Sequence, residues 1–308
     1  MIKKIITFSS FLLVLFLPLI IFLISARQDL SQEMLVMGTV CRISIITEKK
    51  FTPAQADQAL NQAFALLKDY ERRWNFYAKD SELALINSQA AEETVKLLPD
   101  TFEIIAKALA LSELTKGAFD ITATSLHEEG GYGTIVLEPK AKSVSFTDAK
   151  TKIDLGGIAT GYAIDKVVGV FKANNVKNYL IDVGGDIYAS GRNKKNQTWG
   201  IGVRSPFNQE VVVEKIFLNN QAVTTSGNYV KKHIIDPATS VLADKNIDSV
   251  TVVAPSCLEA DALATAFFIM GIDQTKAFID QYAKNIQVLF LKNVNNKSEI
   301  VKYNWQKD

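Results

Sequence analysis

Two oxygen-bearing side chains four residues apart could hold a metal ion. Asp261 and Thr265 stand at positions i and i+4 of an AlaAspAlaLeuAlaThrAla segment, so on a helix both would project from one face. A carboxylate and a hydroxyl are hard oxygen ligands suited to Mg²⁺, which takes its remaining ligands from water and substrate phosphates. The spacing also fits a purely structural role, in which Asp261 complements the helix dipole and Thr265 bonds back to the backbone.

One of the two histidines is a candidate general base. His233 lies in KKHIIDP, between a ThrThrSerGly turn and a proline, whereas His127 lies in the polar HEEGGYG stretch. An imidazole titrates near neutral pH and can therefore accept a proton from a hydroxyl group. The alternative is that His233 is a surface histidine with no catalytic role. A Ser or Cys triad has little support, because neither cysteine has a neighbouring histidine and no GxSxG occurs.

Glycine pairs follow two aspartates, in IDLGG at 153–157 and IDVGG at 181–185. Such turns permit a close approach of backbone to ligand, and a helix amino terminus that follows can hold a phosphate. Neither segment is a GxGxxG or Walker loop, so the ordinary nucleotide-binding folds are not indicated.

The elements that must position these residues alternate between strands and helices. The patterns predict strands over 34–46, 179–183 and 250–253, and helices from Thr52-Pro53 to near Trp74, from Asp100 to Gly117, through 163–170, and from Ser256 to Gly271. Glu103 and Glu259 would complete capping boxes with Asp100 and Ser256. No Pro- or Ser-rich linker divides residues 28–308, which favours one compact α+β domain.

The amino terminus predicts a membrane anchor over residues 1–27. No charge occurs between Lys4 and Arg27, and the 22 intervening residues would span roughly 33 Å as a helix, enough for a hydrocarbon core of about 30 Å. Lys3 and Lys4 predict a cytoplasmic amino terminus and an exported remainder. A cleaved signal peptide is the alternative, but the apolar run is long for one and Ser25-Ala26 is a weak cleavage signature.

Charge and cysteine counts exclude several classes. The 308 residues carry 34 basic and 33 acidic side chains, which excludes a polycationic nucleic-acid binder. Removing Lys3, Lys4 and Arg27 leaves 31 basic against 33 acidic residues, a net charge of −2 for the remainder. Two cysteines exclude a four-cysteine zinc site. Cys41 and Cys257 are expected to be two buried thiols, although an exported protein could pair them.

Eight short motifs, in order, resemble those of the ApbE-type FAD:protein FMN transferase family. They are MetGlyThr (37–39), AspSerGlu with Asn87 (80–82), GlyAlaPheAspIleThr (117–122), AspLeuGlyGlyIleAlaThrGlyTyrAlaIleAsp (154–165), ValGlyGlyAspIle (183–187), ThrSerGly (225–227), HisIleIleAspProAlaThr (233–239) and GluAlaAspAlaLeuAlaThrAla (259–266).

The resemblance implies a magnesium enzyme that splits FAD at its pyrophosphate, transfers FMN to a Thr or Ser hydroxyl of a partner protein and releases AMP. It implies an α+β, T-fold-like catalytic domain over 28–308, with mixed or antiparallel sheets and packed helices. It assigns Gly157, Asp261 and Thr265 to the metal and His233 to the acceptor hydroxyl as base. The implied FAD contacts are Met37, Tyr77, Ala118, Phe119, Asp120, Asp154, Thr160 and Ile235.

The implied acceptor is a membrane or exported redox protein with an Asp-x-x-Ser/Thr-Gly-Ala-Ser/Thr motif. This chain lacks that motif, so it is not expected to modify itself. With the anchor, the resemblance predicts a bacterial inner-membrane protein whose catalytic domain is periplasmic. Two departures from the family pattern are a short 123–152 segment and Thr160 where Lys is common. The alternatives are a magnesium-dependent FAD pyrophosphatase and a flavin-binding protein without turnover.

Overall fold

The structure is a computed structural model that describes residues 27–48, 51–125, 131–208, 210–228, 234–243, 245–294 and 297–305. These ranges contain five α-helices: α1 (Pro53–Trp74), α2 (Glu82–Gln89), α3 (Pro99–Leu114), α4 (Ala159–Ala173) and α5 (Cys257–Tyr282). The strands are β1 (Asp29–Val36), β2 (Thr39–Ile46), β3 (Val95–Lys96), β4 (Ile135–Glu138), β5 (Ser143–Phe146), β6 (Tyr179–Val183), β7 (Asp186–Ser190), β8 (Trp199–Arg204), β9 (Val212–Leu218), β10 (Gln221–Gly227), β11 (Ile235–Asp236), β12 (Val241–Leu242), β13 (Ser249–Ala254), β14 (Gln287–Val294) and β15 (Lys297–Tyr303).

An eight-stranded antiparallel sheet organises the molecule, in the order β1-β2-β6-β7-β10-β13-β14-β15. Helix α5 packs on β10 and β13, and α4 packs between α5 and α1. The opposite face of the sheet carries a second apolar cluster that includes Val203, Ile216 and Leu218 of the β8–β9 hairpin. Strand β13 is buried along its whole length because it lies between these two layers. The α+β prediction is confirmed.

The prediction of one strand over 34–46 was wrong, because the chain reverses direction at Met37-Gly38. Val36 pairs with Thr39 across this two-residue loop. Met37 and Gly38 both have positive φ, 56° and 72°, as the central residues of a type I′ hairpin turn require. Methionine is rare in that conformation, so its residue type did not indicate a turn.

The observed helix starts test the helix boundaries and capping interactions that the sequence predicted. Helix α1 begins at Pro53 as predicted, and Thr52 and Gln55 form a reciprocal capping box. Helix α3 begins at Pro99, ends at Leu114, before Gly117, and has no side-chain cap. The predicted capping box of Asp100 and Glu103 was wrong, because both carboxylates accept hydrogen bonds from α4 instead.

Two further elements differ in detail from the predictions. The short helix α2, capped by Ser81, was not predicted. The Ser256 side chain caps helix α5 by accepting a hydrogen bond from the N–H of Glu259, which is one half of the predicted capping box. The backbone leaves helical geometry at Gly271, where φ is 78°, but the helix continues to Tyr282, beyond its predicted end. Helix α5 is also apolar and long enough for a membrane span, but here it packs on the sheet.

The remaining predictions concern the amino terminus and the cysteines. The predicted anchor lies outside the described residues except for Arg27. Cys41 and Cys257 are buried, unpaired thiols, as expected. Burial, assisted by the charge of Asp182, raises the pKa of Cys41 to about 12, so this thiol is inert near neutral pH.

Candidate active site

A cavity of about 660 Å³ lies where α5, the carboxyl end of β10 and several loops meet. The loops that reach it carry residues 118–124, 154–157 and 234–237. Eight of the predicted site residues line this cavity: Ala118, Phe119, Asp120, Asp154, Gly157, Ile235, Asp261 and Thr265. Residues from across the chain are therefore brought together in one concave site.

The three predicted metal-binding positions lie on adjoining parts of its wall. Asp261 is 6% exposed, and its Oδ2 accepts a hydrogen bond from the backbone N–H of Gly161 at 3.1 Å. The hydroxyl of Thr265, one turn along α5, is 3.2 Å from that of Ser226 on β10. A Cβ built on Gly157 would lie 3.6 Å from Thr265 Oγ1, so the backbone of Gly157 passes close to Thr265.

A close crossing of α4 and α5 fixes the orientation of Asp261. A Cβ on Gly161 would lie 2.4 Å from the carbonyl oxygen of Cys257, so only glycine permits this approach. Asp165, one turn further along α4, accepts hydrogen bonds from the backbone N–H groups of Cys257 and Leu258 at 2.8 and 3.0 Å. Asp165 thereby satisfies free donors at the amino end of α5.

The inner wall of the cavity is acidic. Burial, followed by the charge of Asp186, raises the pKa of Asp261 well above its usual range, against the Gly161 hydrogen bond. Burial also raises the pKa of Asp186 to about 7, with the Thr224 hydroxyl opposing the shift and Asp182 adding to it. No Lys, Arg or His is among the described residues that line the cavity. Two carboxylates without a cationic side chain fit a bound divalent cation.

The chemistry of the donor set fits Mg²⁺ in particular. Asp261, Thr265 and the Gly157 carbonyl are all oxygen donors, whereas softer metals favour nitrogen and sulfur. Within the described ranges no three His, Cys, Asp or Glu residues cluster as a metal site. A cation here would therefore need oxygen atoms of water or substrate to complete its coordination.

Two other cavity carboxylates are held in place by the backbone. Asp120 accepts hydrogen bonds from the N–H groups of Thr122 and Tyr132, at 2.8 and 2.9 Å. Asp154 accepts one from the N–H of Gly156 at 2.9 Å. The Asn87 amide of α2 exchanges two hydrogen bonds with the backbone of Ile153, at 2.8 and 2.9 Å. The loop that carries Asp154 is therefore anchored to a helix.

Four predicted site residues are not among the lining residues. Met37 precedes Gly38 and Thr39, which do line the cavity. Tyr77 is 84% exposed, and Thr160 is partly exposed in the first turn of α4. His233 lies outside the described residues, although the next two residues, Ile234 and Ile235, line the cavity.

The sequence reasoning missed Asp186, Thr224 and Ser226 as members of the site. Each lies in or beside a motif already singled out, the ValGlyGlyAspIle and ThrThrSerGly segments. The signal was the position of polar residues at the ends of apolar strands, and only the sheet register shows that these ends meet at one cavity.

The fold and the cavity define an α+β protein with an acidic, concave site beside its antiparallel sheet. A model of the ApbE family matches residues 37–290, and the chain belongs to that family. A FAD:protein FMN transferase of Haemophilus influenzae is 28% identical over 276 residues, covering 77% of this chain and 80% of the relative. A FAD:protein FMN transferase of Treponema pallidum is 28% identical over 309 residues, covering 86% of this chain and 84% of the relative.

Solved structures of ApbE proteins share the fold of this chain. The flavin transferase ApbE from Vibrio cholerae matches with a TM-score of 0.79 at 24% identity, covering 90% of this chain and 97% of that chain. An ApbE protein from Thermotoga maritima matches with a TM-score of 0.77 at 28% identity, covering 89% and 97%.

Proposed function

We propose that this protein is a Mg²⁺-dependent FAD:protein FMN transferase. The observation that carries the proposal is the meeting of Asp261, Thr265 and the Gly157 backbone in an acidic cavity. None of the described residues that line this cavity has a cationic side chain. Membership of the ApbE family and the names of the relatives supply the substrate and the reaction class.

The reaction exchanges the phosphoanhydride linkage of FAD for a phosphoester linkage to the acceptor. The bond between the FMN phosphorus and the bridging oxygen of the pyrophosphate breaks, and AMP leaves with that oxygen. A bond forms between the same phosphorus and the hydroxyl oxygen of a Thr or Ser of the acceptor. The hydroxyl loses its proton to a base, for which His233 is the candidate because an imidazole titrates near neutral pH.

Asp261, Thr265 and the Gly157 carbonyl would hold the metal ion. When bound, Mg²⁺ supplies positive charge that neutralises the pyrophosphate and the leaving AMP. The Gly161 N–H fixes the carboxylate of Asp261, and the Asp165 cap fixes the start of the helix that carries it. The protein thus presents its oxygen ligands in one preorganised arrangement.

The other lining residues would hold FAD. Phe119 and Ile235 give apolar walls to the cavity, suited to the isoalloxazine ring. The oriented carboxylates of Asp120 and Asp154 can accept hydrogen bonds from polar groups of the dinucleotide. The exposed ring of Tyr77 and Met37, in its left-handed conformation, belong to the same proposed FAD site by resemblance to the family.

The cellular setting is also part of the proposal. Residues 1–27 would anchor the chain in the bacterial inner membrane, with the single catalytic domain of residues 28–308 in the periplasm. The acceptor would be a membrane or exported redox protein that carries the Asp-x-x-Ser/Thr-Gly-Ala-Ser/Thr motif. The uncharged run between Lys4 and Arg27, with two lysines before it, supports this topology.

Product analysis tests the function. The full chain in detergent micelles is incubated with FAD, Mg²⁺ and an acceptor that carries the motif, and with the same acceptor whose modified Thr is replaced by Val. We expect the first acceptor alone to gain the mass of FMN less one water, with one AMP released per transfer. Free FMN and AMP with unmodified acceptor would instead indicate a pyrophosphatase, and bound intact FAD a flavin-binding protein; either result would contradict the proposal.

A further inference from the structure

Asp186 and Thr224 lie side by side on the helix-facing side of the sheet. Val223 of β10 pairs with Ile187 of β7, and both pack into the apolar cluster on the opposite face. Because side chains alternate along a strand, Asp186 and Thr224, the next residue on each strand, point towards α5. Both line the same cavity as Asp261.

The Thr224 hydroxyl is a buried polar group without a well-formed hydrogen bond. Thr224 is 2% exposed, and its Oγ1 lies beside the Asp186 carboxyl but makes no hydrogen bond of ordinary geometry to a described residue. A buried hydroxyl whose hydrogen bond is not well formed destabilises the folded protein. It therefore points to a ligand or ordered water that occupies this part of the cavity in the working enzyme.

Asp186 shares the cavity with Asp261, the proposed metal carboxylate. No basic side chain is among the described residues that line this cavity. Two carboxylates that face one cavity without a described cationic side chain favour the binding of a cation between them.

We propose that Asp186 and Thr224 form the outer sphere of the cation site, binding water molecules that are coordinated to the metal held by Asp261, Thr265 and Gly157. The carboxylate of Asp186 would accept hydrogen bonds from these waters, and Thr224 Oγ1 would bond to one of them. The inference rests on the proposed magnesium site. It assigns Asp186 and Thr224 as positioning residues that touch neither FAD nor the acceptor hydroxyl.

Magnesium binding to the full chain, measured by calorimetry without FAD, tests this inference. We expect Asp186→Asn to weaken Mg²⁺ binding by about 10-fold, a usual effect of removing an outer-shell partner, and Thr224→Val to weaken it less. Asp273→Asn is the matched control. Asp273 is an exposed acid of α5 that does not line the cavity, so this variant should keep the wild-type Mg²⁺ affinity within about 2-fold.

Stability in chelator separates this role from a structural one. Without metal, Asp186→Asn and Thr224→Val should unfold at a denaturant concentration equal to or above that of wild type, since each removes an uncompensated group. Unchanged Mg²⁺ affinity in Asp186→Asn, or a clear loss of stability in chelator, would overturn the inference. Absence of Mg²⁺ binding in wild type would overturn the magnesium site as well, which distinguishes the two failures.

Discussion

Two groups of carboxylates in this protein have opposite surroundings. The cavity pair, Asp186 and Asp261, lines a site without a basic side chain among its described residues. The helix-interface cluster consists of carboxylates of α1, α2 and α3 around two basic residues. Its members are Asp69, Arg73, Glu82, Asp100, Glu103 and Lys166.

The pKa values shift in opposite directions. In the helix-interface cluster, burial would raise the pKa of Asp100 and Glu103, but hydrogen bonds from Lys166 and tyrosine hydroxyls outweigh it and lower both. In the cavity pair, burial raises both pKa values, and a neighbouring carboxylate adds to each shift: Asp182 for Asp186 and Asp186 for Asp261. One cluster therefore carries its own cations and holds helices together, whereas the other has no described cation and fits the proposed Mg²⁺ site.

Removing the metal carboxylate should give the largest effect. Asp261→Asn is expected to lower the rate of FMN transfer at least about 1000-fold, because charge stabilisation by a bound metal contributes several kcal/mol. Asp273→Asn, an exposed acid on the same helix, should transfer FMN at the wild-type rate. Single-turnover transfer followed by intact mass measures both, and full activity of Asp261→Asn would show that the metal assignment is wrong.

Breaking the helix-interface cluster should affect stability without affecting the metal. The Arg73 side chain is 8% exposed and bonds to Glu82 at 3.0 Å and to Thr101 at 2.6 Å. Arg73→Met should cost about 3 kcal/mol of unfolding free energy, since Glu82, whose side chain is 11% exposed, loses its ion-pair partner. The control is the neighbouring Arg72, whose side chain is 72% exposed. Arg72→Met should lower the unfolding free energy by less than about 1 kcal/mol. Denaturant titration compares them, and equal losses would contradict the assignment.

The helix crossing beside the cavity allows a test with one added methyl group. Gly161→Ala should destabilise the protein by about 2 kcal/mol, because the new Cβ meets the backbone of Cys257 and Leu258. Gly169→Ala, on the same helix with no atom within 4 Å of its Cβ, should stabilise by about 0.5–1 kcal/mol. Urea unfolding of the two variants checks the opposite signs.

The smallest expected effect is a pH dependence of the helix-interface cluster. Asp100 and Glu103 have folded-state pKa values below their usual ones, so their stabilisation is present above the unfolded pKa and is lost as pH falls through the folded pKa. Wild type should therefore lose more unfolding free energy than Asp100→Asn below about pH 4. We expect a difference below about 1 kcal/mol, because these ion pairs are partly exposed. If the unfolding free energies of wild type and Asp100→Asn changed equally with pH, this assignment would be contradicted.

The sequence supported prediction best where a local rule controls the structure. Thr52 and Ser256 begin helices because the side chain of each accepts a hydrogen bond from a backbone N–H three residues later. Asp100 shows the limit, since its partner Lys166 is 66 residues away and local capping rules cannot detect it. The Met37 turn was missed for a related reason, because pairing of the two strands holds a residue that disfavours this conformation.

The candidate site was predictable in its motifs and not in its assembly. Asp261 and Thr265 could be paired because i and i+4 share a helix face. Asp186 could not be added, because its contact with this site depends on the register of β7 against β10 and on the packing of α5. A polar residue after a strand becomes part of a site only through tertiary structure.

The central claim is that the cavity is completed by an external cation. Its direct test is the unfolding free energy of the full chain in detergent micelles, in chelator and in Mg²⁺ at matched ionic strength. Wild type should gain about 2.7 kcal/mol at a Mg²⁺ concentration 100 times the dissociation constant, and Asp261→Asn should gain almost none. An equal free energy of unfolding for wild type in chelator and in Mg²⁺ would contradict the account.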